Sequence, residues 1–179
     1  MKRIEWFWNM VYYNIYMFDI RLSKLFNYIN PFYWLNRISA IKKHHALHGV
    51  SDMNEFANQT FNNPKTGISS IWAGSFMGIL LVMIGIGLLN FFETIIGRSI
   101  IQDVFKDSLH FIIFGVVLMG FTILINNSLL FRKDKYLNYF KKFEAMPNKK
   151  KSIYGWLTFS VVIFILSFFI GSFLVYKIV

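Results

Sequence analysis

The chain contains no cysteine, which excludes disulfides, thiolate metal sites and cysteine nucleophiles within it. Charge is scarce too. Asp, Glu, Lys and Arg make up 16% of 179 residues, where soluble domains carry about 25%. What charge there is leans one way, 19 Lys and Arg against 9 Asp and Glu, for a formal net charge of +10. No glycine-rich loop with a lysine is present to cradle phosphate. Ser, His and Asp all occur, but no strained-turn motif gathers them around a nucleophile. The expectation is a non-catalytic protein that needs no cofactor.

Apolar and aromatic residues fill the space that charge leaves, at 55% and 20% of the chain. A helix needs about 20 apolar residues to cross a hydrocarbon core roughly 30 Å thick. Three runs meet this, 71–92, 111–131 and 153–176. Trp72, Tyr154, Trp156 and Tyr176 lie at their ends, where amphipathic rings prefer the headgroup layer. The fold expected is an all-α integral membrane protein. An aromatic, basic, cytoplasmic or interfacial helical region spans 1–67, and a three-span membrane domain spans 68–179.

The loops orient it. Residues 1–70 hold Lys2, Arg3, Arg21, Lys24, Arg37, Lys42, Lys43 and Lys65. The first loop holds Arg98 and Lys106 against Glu93, Asp103 and Asp107, and the second holds Arg132, Lys133, Lys135, Lys141, Lys142, Lys149, Lys150 and Lys151. Lys177 alone follows the third run. Basic loops stay in the cytoplasm, so the N-terminus and second loop read as cytoplasmic, and the first loop and C-terminus as outside. Abundant Lys, Phe, Ile and Asn fit an A/T-rich genome, and the expected location is a bacterial cytoplasmic (inner) membrane. The basic excess then serves topology, and no nucleic-acid partner is expected.

Before the first run, Ile4, Trp8, Val11, Ile15, Phe18, Leu22, Leu25 and Ile29 recur in steps of three and four. That is the stripe of an amphipathic helix, suited to lying in the membrane interface or to docking a partner. Lys2 and Arg3 resemble a signal-peptide start, but Glu5, Asn9, Asn14 and Asp19 interrupt the apolar stretch behind them, and no small-residue cleavage site appears. The N-terminus is expected to be retained. A second helix is expected from Asn30-Pro31 to His48 with Gly49 as its stop. A third runs from Asp52 to about Phe61, with Asp52 and Glu55 as a capping box, and Asn62, Asn63, Pro64 and Gly67 turn into the first span. A short amphipathic helix, Asp134 to Met146, places Tyr136, Phe140 and Phe143 on one face, and Pro147 ends it.

Candidate sites are surfaces. Ser70, Gly74, Gly78 and Gly85 line one helix face, with Ser160, Ser167 and Gly171 as a comparable stripe in the third span. Small residues let helix backbones approach closely in lipid, where no hydrophobic drive brings helices together. Such grooves serve packing among the three spans or against another membrane subunit. The central stretches of the spans hold no ionisable residue, which argues against proton-coupled transport, and Asn126 and Asn127 read as hydrogen-bonding partners for a neighbouring helix or headgroup. Lys42, Lys43, Arg132, Lys133, Lys149, Lys150 and Lys151 are candidates for anionic lipid headgroups or an acidic partner. His44 and His48, four apart, are the candidate metal pair, set against the plainer reading of a basic, headgroup-facing surface. The function expected is a non-catalytic integral subunit or scaffold of a larger bacterial inner-membrane complex. A homo-oligomeric, holin-like pore is the alternative, less favoured because the spans lack polar stripes.

Overall fold

A computed structural model describes residues 2–27, 29–35, 37–50, 52–97 and 104–178. Arg98 and Asp103, two of the first-loop charges, lie outside the described residues, as do the side chains of Tyr176 and Lys177.

Among the described residues every regular element is helical. The chain runs through α1 (Lys2–Asn27), α2 (Pro31–Leu35), α3 (Ser39–Leu47), α4 (Met53–Phe61), α5 (Ile68–Ile96) and α6 (Ser108–Asn126). A π-helical turn (Asn127–Phe131) and a 3-10 turn (Arg132–Asp134) lead to α7 (Lys135–Glu144) and α8 (Asn148–Ile178). Three stretches are long and apolar enough to cross a membrane: Ile68–Ile96, Ser108–Glu144 (read across the two turns) and Asn148–Val175. At 1.5 Å rise per residue even the 28 residues of the last give about 42 Å, more than a hydrocarbon core demands.

The long helices overrun their apolar sequences because local caps set their ends. Asp107 accepts a hydrogen bond from the Leu109 amide at 2.9 Å and starts α6. The Pro147 carbonyl accepts from the Lys150 and Lys151 amides, so α8 begins ahead of its apolar run. Sparse burial on α6, where only Thr122 and Asn126 are enclosed, leaves Ile112, Val116, Phe121 and Leu124 facing outward.

The expected helix over 30–48 divides in two. Ile38 takes an extended conformation (φ −71°, ψ 128°), and the Arg37 guanidinium stacks 5.0 Å from the Trp34 ring at that break. Its far end is as read. Gly49 sits at φ 80°, with Val50 bonded to the His45 carbonyl and Gly49 to that of Ala46, a Schellman closure. Asp52 caps α4 through Asn54 and Glu55 at 2.8 and 3.2 Å. The reciprocal half of the capping box gives way to a Glu55–Gln59 bond at 3.1 Å.

Two compact units result, one formed by residues 12–74 and the other by 1–11 together with 75–179. The apolar stripe read for α1 does not describe its middle. Trp8, Val11 and Ile15 are buried, but Asn9, Met10, Tyr12, Tyr13 and Tyr16 are enclosed as well, while Ile4, Phe18, Leu25 and Ile29 stay exposed. Within residues 8–16 every side chain but the half-buried Asn14 is enclosed by the protein. Tyrosine allows this because its ring buries like a hydrocarbon once its hydroxyl finds a partner.

Candidate functional site

In the unit containing residues 1–11 and 75–179, α1 is held by polar contacts around the π-turn. A π-turn displaces the i→i−4 ladder and leaves carbonyls in need of donors. Asn9 Nδ2 donates to the Leu129 carbonyl at 2.9 Å and to the Glu5 carbonyl at 2.7 Å. Lys135 Nζ donates to the Ser128 carbonyl at 3.1 Å and to Glu5 Oε2 at 2.9 Å. Trp8 Nε1 donates to Asn126 Oδ1 at 3.0 Å. The hydrogen bond and charge of Lys135, with a bond from Tyr139, hold the Glu5 carboxyl below the ordinary glutamate range against its desolvation. Trp6 packs edge-on against Phe143 and Tyr154, at 5.7 and 5.3 Å between centroids. The anticipated face of α7, Tyr136, Phe140 and Phe143, is buried.

This junction also bends the chain. Lys133 (φ 60°) and Asp134 (φ 51°) are consecutive non-glycine residues in left-handed conformation, a cost of about 1–3 kcal/mol each that surrounding contacts must offset. Arg132 and Lys133 are exposed there, as are Lys149 and Lys150, with Lys151 half-buried. The last three occupy the first turn of α8, where the helix dipole disfavours cations. Helix stability does not account for that run.

The glycine stripe on α5 is partly enclosed. A Cβ on Gly78 would lie 3.6 Å from Thr122 Cγ2 and 3.9 Å from Asn126 Nδ2, and one on Gly85 would lie 3.0 Å from Leu118 Cδ1, so both meet α6. Gly74 is half-buried. Gly87, absent from the sequence-read stripe, is tighter than Gly78 and Gly85, its would-be Cβ 2.5 Å from Phe168 Cε1 on α8. The α8 stripe read from sequence turns the other way. Ser160 and Ser167 are exposed and a Cβ at Gly171 would touch nothing within 4 Å. The buried residues of α8 are instead Thr158, Ile165 and Ser172, a separate seven-residue series. Ser172 accepts from Asn90 Nδ2 at 3.0 Å and donates to the Phe169 carbonyl at 2.7 Å.

The central stretches of the spans hold no ionisable residue, as read, but α5 extends past the Phe92 end drawn from sequence and takes in Glu93. Because α5 runs on to Ile96, Glu93 belongs to the helix and not the loop, and it is 1% exposed. Three residues from Asn90, it lies on the same face of α5.

In the unit formed by residues 12–74, Tyr12 and Tyr16 fasten the start of α5. The Tyr12 hydroxyl bonds the Ser70 hydroxyl at 2.8 Å and donates to its carbonyl at 3.2 Å, while Tyr16 donates to the Asn62 carbonyl. Ser69 Oγ donates to Asn62 Oδ1 at 3.2 Å. Asn63 Oδ1 accepts from the Lys65 and Thr66 amides. At Gly67 a Cβ would fall 2.6 Å from Asn63 backbone nitrogen and oxygen, so glycine is required.

By contrast, neither α3 nor α4 contains a buried residue. Trp34 is 55%, Ile38 48% and Leu47 83% exposed, and Lys42, Lys43, His44 and His48 are exposed. The His44 and His48 rings lie 5.0 Å apart. Among the described residues no three His, Asp or Glu gather closely enough to hold a metal ion.

Comparison with protein families, curated proteins and solved structures found no match to this chain. The sequence reading missed Asn9, Tyr12, Gly87, Asn90 and Ser172. A polar residue within an apolar helix must find a partner, and that was the available signal for Asn90.

Proposed function

We propose that this protein is a non-catalytic integral subunit or scaffold of a larger assembly in a bacterial cytoplasmic membrane, with its N-terminus in the cytoplasm and its C-terminus outside. One observation carries the reading. Helices α3 and α4 have no buried residue of their own, and α4 leads into a turn that Tyr16, Asn63, Ser69 and Gly67 fix at the start of α5. Exposed Trp34, Leu47, Phe56 and Phe61, with the exposed Lys42 and Lys43, suit an interaction surface. The outward stripe Ser160, Ser167 and Gly171 suits contact with a neighbouring transmembrane helix.

The test is extraction of the tagged full chain in mild detergent, identification of what copurifies, and conductance measurement on the pure protein in planar bilayers. The reading expects defined partner polypeptides and no conductance by the chain alone. A protein that conducts unaided and brings down no other polypeptide would be a homo-oligomeric, holin-like pore.

A further inference from the structure

We propose that residues 34–48 form an arm that docks on the anionic headgroup layer of the membrane the chain spans, with Trp34, Ile38 and Leu47 entering the interface and Arg37, Lys42 and Lys43 on lipid phosphates. This rests on the integral-membrane reading above and names what covers the exposed helices.

Charge selects the occupant. No acidic residue occurs between Asp19 and Asp52, while Arg37, Lys42 and Lys43 lie within that interval. A neutral apolar partner would leave these cations desolvated, whereas an anionic surface complements them. Composition narrows it further. Basic residues interleaved with exposed Trp, Ile and Leu are the pattern of segments that lie at a lipid interface, rings and aliphatic chains below and cations at phosphate level. Continuity places a bilayer within reach. Helix α4 ends at Phe61 and the apolar helix α5 begins at Ile68, and the intervening turn is closed by the Gly67 amide on the Asn63 carbonyl at 2.8 Å. The arm is thus tethered to the mouth of the first span. An acidic protein would need to reach this position, while the lipid is already there.

Absence of native cysteine makes the test direct. Leu47→Cys carries an environment-sensitive fluorophore on the full chain, reconstituted in vesicles of phosphatidylcholine alone or of phosphatidylcholine with phosphatidylglycerol. The emission is expected to shift to the blue, and to be quenched by lipid-borne quencher, only with phosphatidylglycerol. Each basic residue contributes about fivefold to partitioning near an anionic surface. The triple variant Arg37→Gln, Lys42→Gln, Lys43→Gln should therefore weaken docking on the order of a hundredfold, and high salt should act likewise. Equal emission in both vesicles, or indifference to the triple variant, would overturn the proposal. So would shielding of the label by a copurifying protein but not by phosphatidylglycerol, which would assign the arm to an acidic partner. A second label at Phe164→Cys, exposed on α8, should be in an apolar environment in every vesicle. A water-like Phe164 label would defeat the integral-membrane reading itself, so the two failures are distinguishable.

Discussion

Trp8 donates its indole N–H to the side-chain oxygen of Asn126 at 3.0 Å, out of solvent and across 118 residues of chain. Asn126 is also the residue whose amide nitrogen lies opposite Gly78, so one side chain ties the N-terminal helix and α6 to α5. Trp8→Phe keeps most of the ring and removes the donor, leaving a buried acceptor. The loss should be about 1–3 kcal/mol in the folded protein's stability. Asn126→Leu combined with Trp8→Phe should cost less than the two single changes summed, a coupling read by denaturant titration in detergent. Strict additivity would mean that the contact contributes nothing.

The glycines should rank by what faces them. Gly87→Ala forces a methyl against Phe168, so that the ring, which stacks at 5.2 Å on Phe91, must shift. Overpacking of this kind costs about 1–3 kcal/mol. Gly78→Leu presses on Thr122 and Asn126 and should lower the isolated chain's own stability. Gly171→Ala meets open space and should leave it unchanged. Thermal unfolding of the three purified variants checks the order, and equal loss at Gly171 and Gly87 would break it.

Much of the fold was legible in the sequence, for physical reasons that differ by element. The long helices were legible because each holds an apolar run as long as a bilayer crossing demands. Gly49 and Asp52 announced a helix stop and start because their geometry is local, and α7 showed its buried face because three aromatics recur at helical spacing with charge between them. The interior of α1 stayed hidden. Tyr12, Tyr13 and Tyr16 lie off the apolar stripe, and periodicity cannot reveal that Ser70 and Asn62 supply partners for two of those hydroxyls. Small residues marked a face on α5 and α8 without saying what packs there, hence Gly78 and Gly85 meet α6 while Ser160 and Ser167 face outward. Nothing in Asn127–Phe131 or in Lys133 signals a π-turn or a left-handed backbone, and the Asn9 amide that donates to the Leu129 carbonyl comes from 120 residues away. Glu93 read as a loop charge because the helix end was drawn at the last apolar residue.

Glu5 sets a pH dependence on the N-terminal anchor. Its carboxyl is held below the ordinary range, mainly by the hydrogen bond from Lys135, so the folded state binds a proton less readily than the unfolded chain. The resulting stabilisation is complete above the ordinary glutamate value and disappears as pH falls through the lower folded one. The hydrogen-exchange protection of the amides of residues 2–16, taken relative to their intrinsic exchange rates at each pH, should fall over that acid window in the wild type. Glu5→Gln should flatten this response and cost less than about 1 kcal/mol at neutral pH, as partly exposed ion pairs do. A variant with the same acid response as the wild type would place the pH sensitivity elsewhere.

Topology is where the charge pattern and the proposed function meet. Three apolar helices separate a basic N-terminal region from a loop whose charges balance, then a basic loop, then a C-terminus with one lysine. Lys149, Lys150 and Lys151 stand at the start of α8, where the helix dipole opposes them, so their placement is better explained by retention on the cytoplasmic side. A reporter active only in the cytoplasm should therefore work when inserted near Asn148 and be silent when fused after Val179. Thiol labelling supplies the complementary arm, since any cysteine introduced into this chain is the sole one. Arg37→Cys should react with an impermeant reagent from the cytoplasmic face alone. Labelling of Arg37→Cys from outside would require α1 to cross the membrane, which would turn the first basic region outward. An active reporter after Val179 would remove one of the three crossings, and with it the proposed orientation of every surface assigned above.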